Sequence, residues 1–229
     1  MEKFRPVRVV ILEGLDASGK ESLTNEIVNL LECSIDEECK VIKEEFPRYE
    51  TSVGGMIKGI LRGWNKDMRA LIPLPELFKA DRDDFVLKLL RLDLKADVYV
   101  FDRYSRSNVY CNGCKPEVVK MATAELNALM KVIGHLQPGR PVELIEICIN
   151  YDHSDVLKKN ESIKLHASYL GSREILDENE TMSKQLIFAD DLYRSYTLYR
   201  EPELKLNIGF DIADTAKDFV TTHLQYNIK

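Results

Sequence analysis

The sequence predicts an α/β fold built on a parallel sheet of about five strands with helices on both faces. Short, β-branched apolar runs alternate with stretches whose apolar residues recur at helical spacing, along the whole chain. The runs are apolar on successive residues rather than on alternate ones, which suits strands covered on both faces. The 229 residues, 45% hydrophobic and 31% charged, supply ample core. No internal repeat, low-complexity tract or Ser/Gly linker divides them, so a single domain over 1–229 is expected.

Val7-Arg8-Val9-Val10-Ile11-Leu12 is the first strand, closed by a glycine-bearing loop. From Ser22 to Leu31, the spacing of Leu23, Ile27, Leu30 and Leu31 predicts a helix. Residues 40–46 form the second strand and Val98-Tyr99-Val100-Phe101 the third, stopping at Asp102. A fourth strand is expected at 142–149 and a last one at 205–210. Helices are expected near 54–62, 76–92, 116–134, 183–199 and 214–226. Sheets of this kind bind ligands at the carboxyl ends of their strands, so the chemistry should gather there.

Composition and charge exclude several classes. No apolar run approaches the roughly 18 residues of a membrane helix. A net charge of −6 argues against a nonspecific grip on nucleic acid or an anionic membrane, so an anionic substrate needs its own basic site. The start of the chain lacks a basic-then-apolar leader, so no secretory signal is expected and residence is expected to be cytoplasmic. Cys33, Cys39, Cys111, Cys114 and Cys148 are odd in number and scattered, unlike a disulfide framework. Cys111-Asn112-Gly113-Cys114 has no second pair and no nearby histidine to complete a tetrahedral zinc site, and reads as a turn. His135, His153, His166 and His223 are dispersed and read as ordinary residues.

The chemistry begins after the first strand. Gly14-Leu15-Asp16-Ala17-Ser18-Gly19-Lys20 fits the G-x-x-x-x-G-K phosphate loop, in the strand-loop-helix context that motif requires. The glycines let successive backbone N–H groups turn inward, the following helix offers its positive end, and Lys20 adds a charge for the β- and γ-phosphates. The position after the lysine, normally a Ser or Thr hydroxyl for Mg²⁺, is Glu21, with the hydroxyl one residue later on Ser22. A carboxylate there must be metal-bound or turned to solvent, since it otherwise repels polyphosphate.

Other strand ends add candidates. Phe46-Pro47-Arg48-Tyr49 closes the second strand with a cation suited to a phosphate clamp or to a surface turn. Phe78 and Arg82, four apart on a helix, share one face and could sandwich and hydrogen-bond a base, or be a core ring and a solvated cation. The third strand ends in Asp102-Arg103-Tyr104-Ser105-Arg106-Ser107-Asn108, placing an acidic residue where phosphate-loop proteins hold Mg²⁺ through water, with Arg103 and Arg106 adding positive charge.

Together these segments resemble the thymidylate kinase family of P-loop nucleoside monophosphate kinases. The ordered matches are Glu13-Gly14-Leu15-Asp16 with Gly19-Lys20, Phe46-Pro47-Arg48-Tyr49, Leu77-Phe78 with Asp81-Arg82, and Asp102-Arg103-Tyr104 with Ser107-Asn108. They cover the first half of the chain; the second matches mainly in layout, with a weaker Asp177-x-x-Glu180 and Tyr196. The resemblance implies a three-layer P-loop NTPase fold with a small lid over approximately 153–180. It implies phosphoryl transfer from ATP to dTMP, with Mg²⁺ as cofactor, and pairing as a homodimer.

Residue by residue, the resemblance implies that Asp16, Lys20 and Arg103 serve catalysis. Asp16 would contact the acceptor sugar and a magnesium-bound water. Gly14, Ala17, Ser18, Gly19, Lys20, Glu21 and Ser22 would hold ATP, with Arg173 of the lid region neutralising the transferring phosphate. Arg48 and Arg103 would grip the acceptor phosphate, beside Phe46 and Ser107. Phe78 would stack on thymine, Arg82 would reach its carbonyl oxygen, Tyr49 would pack by the sugar, and Asn108 would sit near the base or ribose. Asp16, Asp102 and Ser22 would organise the metal. Ala17 stands where many members carry an arginine; Lys158, Lys159 and Lys164 are further lid cations. The alternatives are a kinase with another or broader acceptor choice, and a nucleotide-binding protein impaired in catalysis, for which Glu21 is the motive.

Overall fold

The computed structural model describes residues 5–15, 18–33, 39–61, 73–150, 178–207 and 209–227. Strand β1 spans Val7–Gly14, β2 Val41–Glu45, β3 Val98–Asp102, β4 Val142–Asn150 and β5 Leu204–Asn207. All neighbours are parallel, in the order β2-β3-β1-β4-β5. Helices α1 (Lys20–Glu32), α2 (Ser52–Leu61), α3 (Leu74–Arg91), α4 (Ser105–Cys111), α5 (Pro116–Leu136), α6 (Glu178–Leu198) and α7 (Ile212–Asp218) surround the sheet. The expected α/β architecture is thus observed.

The continuous apolar runs are explained by burial: every residue of β1 and β3 is buried. Their alternate residues feed two cores. Val7, Val9, Ile11, Tyr99 and Phe101 face Phe85 and Leu89 of α3 and Leu129 and Ile133 of α5. Val10, Leu12, Val98 and Val100 face Leu23, Ile27 and Leu31 of α1 and Phe219 and Val220 beyond α7. At about 1.5–3 kcal/mol per buried large apolar side chain, these two layers are the main stabilising term.

Boundaries moved where local chemistry intervened. The last strand stops at Asn207 because Gly209 turns the chain with φ +87°. Helix α7 starts at Ile212, capped by the Asp211 side chain accepting from the Asp214 N–H at 2.9 Å, and passes into a π-helical turn over Phe219–His223. Helix α4 was not expected; Cys111 ends it and the residues to Cys114 form the predicted turn, with Gly113 and Cys114 at positive φ. All five cysteines are free. Among the described residues, no helix is long and apolar enough to cross a membrane.

Candidate active site

Parallel register assembles the site. Leu12 of β1 lies opposite Asp102 of β3, so the loop leaving Gly14 and the chain leaving Asp102 emerge side by side at the carboxyl edge of the sheet. Gly19 adopts the left-handed region at φ +92°, cheap only for glycine, and α1 begins at the next residue. Lys20 is buried and folds back across the loop, its Nζ donating to the Leu15 carbonyl at 2.6 Å and to Ser18 Oγ at 3.3 Å. Burial raises the pKa of the Asp102 carboxyl, against the opposing pull of the Lys20 and Arg103 charges. Glu21 and Ser22 are exposed, so the extra carboxylate after Lys20 is turned to solvent and Ser22 does not share the buried face of Lys20, Leu23 and Thr24. Asp16 and Ala17 lie outside the described residues, as do Arg173, the other lid cations and most of the lid region.

Arg103 takes φ +65°, a strained conformation of the kind that collects at functional sites. Its N–H donates to the Leu12 carbonyl at 2.8 Å and its Nη1 to the Tyr110 hydroxyl at 3.2 Å. That hydroxyl in turn donates to the Gly14 carbonyl at 3.0 Å, so a short chain of bonds links Arg103 to the start of the phosphate loop. Glu13, wholly buried, clamps the first turn of α4 by accepting from the Tyr104 N–H at 2.8 Å and Ser107 Oγ at 2.5 Å.

Burial, then the neighbouring Glu146 charge, raises the Glu13 pKa above the ordinary glutamate value. A carboxyl that holds its proton more tightly when folded favours the folded state in acid and loses that advantage as pH rises through the unfolded and then the folded pKa. Relative to Glu13→Gln, the wild-type protein is therefore expected to lose melting temperature as pH rises upward from the ordinary glutamate range. Parallel thermal melts at several pH values check this; a pH-independent difference between the two proteins contradicts it.

At the end of β2, Phe46 belongs to the core, packed edge-on against Phe85, Phe101 and Tyr104. Arg48 is only 3% exposed, and its guanidinium meets Asp81 Oδ1 and the Asp81 carbonyl on α3, and Asp84 Oδ2 at 2.8 Å. Its backbone N–H also donates to Asp81 Oδ2, so the expected phosphate clamp already has its charge matched by two carboxylates. Asp81→Ala should cost about 3 kcal/mol in stability by stranding a buried cation, read from denaturant unfolding. A loss below about 1 kcal/mol would mean that Asp84 alone suffices.

The base-site candidates meet on α3. Phe78 is half-buried and packs with Leu74, Leu77 and Ile57. Arg82 is buried, donating from Nε to Glu125 Oε2 at 2.5 Å and from Nη1 to the Tyr104 carbonyl at 3.4 Å. Its Nη2 and the Glu125 Oε1 are buried without a hydrogen-bond partner. Asn108 donates to the Pro75 carbonyl at 3.1 Å, joining α4 to the start of α3, and Tyr49 stands 41% exposed. Arg106 does not join the phosphate-facing cations: it is fully buried and paired with Glu146. A groove of about 310 Å³ lies along the edge strand, lined by Lys43, Glu44, Glu45, Pro47, Tyr49 and Glu50. Its three carboxylates repel phosphate, so it is not assigned to substrate.

Sequence reasoning assigns no role to Glu125 or Thr51, and it quotes Asp81 only as part of the family match; tertiary contacts bring all three to the candidates. For Glu13 there was a signal: a lone carboxylate ending an apolar strand before a phosphate loop. Among the described residues, no three His, Cys, Asp or Glu side chains could hold a metal together. Of the residues expected to organise a metal, Asp102 is buried at the end of β3 within reach of the Lys20 and Arg103 charges, whereas Ser22 is exposed.

A glycine-bearing loop and lysine at the head of a helix, between the carboxyl ends of central parallel strands, define a P-loop nucleotide-binding protein. The chain belongs to the thymidylate kinase family, whose model matches residues 12–132, just over half of it. Membership implies a nucleotide-binding transferase, a nucleoside monophosphate kinase, from a family that generally uses ATP with Mg²⁺. Among solved structures, thymidylate kinase from Candida albicans superposes with a TM-score of 0.56 at 16% identity, over 96% of this chain and 93% of that one. At that identity the likeness speaks for the fold. No curated protein matches the chain.

Proposed function

We propose that this protein transfers the γ-phosphoryl group of ATP to dTMP, giving dTDP and ADP. One observation carries the reading: Lys20, Asp102 and Arg103 come together at one sheet edge, with Arg103 bonded through Tyr110 to the start of the phosphate loop. The loop and Lys20 hold the donor phosphates, and Arg103 grips the acceptor phosphate opposite. An acceptor phosphate oxygen attacks the γ-phosphorus in line, and the bond from that phosphorus to the β,γ-bridging oxygen breaks to release ADP. The acceptor phosphate is already an anion at neutral pH, so positioning and charge neutralisation matter more than a general base. Mg²⁺ would be held at Asp102, with Asp16 as the further residue that the family resemblance implies, and would neutralise phosphate charge. Phe78 would stack on the base and Arg82 hydrogen-bond its carbonyl oxygen; the unpartnered Nη2 of Arg82 supports this role, since a buried donor gains most from an acceptor brought by a ligand. Arg48 supports the acceptor loop through Asp81 rather than through charge left free for phosphate.

A coupled ADP-release assay with ATP and Mg²⁺ tests the reading against dTMP, dUMP, dCMP, dGMP, dAMP and thymidine. Turnover is expected to be strongest with dTMP. The width of the panel matters because the Candida albicans neighbour is described for its broad substrate specificity. Preference for another monophosphate would overturn the base-site assignment while keeping the reaction class, and turnover with no acceptor would overturn both.

A further inference from the structure

Arg106 lies outside the chemistry just described, yet it is the largest fully buried side chain in the molecule's described residues. Its Nε and Nη2 donate to the two carboxylate oxygens of Glu146 on β4, at 2.9 and 2.6 Å. Nη1 donates to Ser195 Oγ on α6 at 2.8 Å, and Nη2 also reaches the Arg200 carbonyl just beyond that helix, at 2.7 Å. The rings of Tyr196 and Tyr199 lie over the guanidinium, 5.4 and 5.2 Å away. One side chain thus ties α4 to a central strand and to the end of α6.

A buried ion pair is a poor way to gain stability, because desolvation offsets most of its attraction and apolar residues of similar volume often do as well. What such a pair does well is fix one geometry. Ile11 of β1 lies opposite Glu146 in register, and Glu13 follows two residues later, so the two glutamates share a face of adjacent strands. Glu13 takes hold of α4 at Tyr104 and Ser107, while Glu146 takes hold of it at Arg106. The helix turn immediately after Arg103 is therefore clamped from two neighbouring strands at once.

We propose that Arg106 is a positioning residue: anchored by Glu146, Ser195 and the Arg200 carbonyl, it fixes the first turn of α4 and thereby the placement of Arg103 opposite the phosphate loop. The kinetic consequence rests on the proposed phosphoryl transfer, whereas the structural one does not.

The test replaces the pair by apolar residues of similar size, in Arg106→Met/Glu146→Leu, and reads three quantities. The melting temperature should stay close to that of the wild type. Backbone amides of residues 104–108 should exchange with solvent about tenfold faster. With the acceptor that the wild type prefers, kcat should fall about tenfold or more while KM for ATP is unchanged. Wild-type exchange in a folded double variant overturns the inference, as does a kcat restored along with the melting temperature, because the pair then contributes only packing. If the double variant does not fold, Arg106→Lys decides. It keeps the charge but cannot reach all three partners, so unchanged amide exchange there overturns the inference. A wild type silent toward every acceptor would sink the proposed reaction, and the exchange measurement would still decide the role of Arg106.

Discussion

Lys20→Ala is expected to lower kcat by about 10²–10³, the usual cost of removing one preorganised charge from a phosphoryl-transfer site. The reason lies in where Lys20 sits. It is buried at the first position of α1, held across the loop by the Leu15 carbonyl and Ser18 Oγ, and its charge acts on Asp102. Alanine leaves the loop backbone and helix end in place, so nucleotide should still bind, with weaker grip on the β- and γ-phosphates. The lost hydrogen bonds cost only about 1–2 kcal/mol in stability, so the variant should fold and its melting curve should move little. Turnover measured beside a thermal melt separates the two effects. A folded variant within about threefold of wild-type kcat would place the donor phosphates elsewhere.

The second large effect is structural and concerns a residue that has no chemistry of its own. A Cβ on Gly54 would stand 1.8 Å from the Arg48 carbonyl oxygen and 2.4 Å from its carbonyl carbon, distances at which backbone must move. The same carbonyl accepts from Thr51 Oγ1 at 2.9 Å, and Thr51 Oγ1 accepts from the Gly54 N–H at 3.0 Å, so the loop and the first turn of α2 are knitted at this point. Gly54→Ala is expected to destabilise by about 3–5 kcal/mol, combining a steric clash with the loss of a helix cap. For a chain of this length that is a fall in melting temperature of about 10 °C. Because Arg48 and Tyr49 lie on the displaced loop, KM for the acceptor should rise more than KM for ATP. A melting temperature within about 2 °C of the wild type would show that the two backbones separate freely.

These two predictions differ in how far the sequence alone could reach them. The phosphate loop was legible because its chemistry is local: glycines, a lysine and a helix start, contiguous in the chain, are enough to bind phosphate. Gly54 carries no such local signal, since nothing in its neighbours' identities says that two backbones meet there. Arg48 and Arg106 show the same limit for charge. By sequence, Arg48 just past a strand end suits a phosphate clamp or a surface turn, and Arg106 after Asp102 adds positive charge to the site. Each is instead matched by carboxylates 33 and 40 positions away in the chain, Asp81 and Glu146. An arginine's type announces that it will be paired with an anion; which anion is decided by the elements packed against it.

The alternation of buried strands and amphipathic helices, the parallel sheet and the phosphate loop at its carboxyl edge were determined by the sequence itself, because periodicity and local motif act over a few residues at a time. Strand order, the opposition of Leu12 and Asp102, the clamp of Glu13 on α4 and the partners of Arg48, Arg82 and Arg106 were decided only in the tertiary structure. Each depends on a contact between segments far apart in the chain, and its energy comes from burying a charge or donor that any of several distant partners could have satisfied.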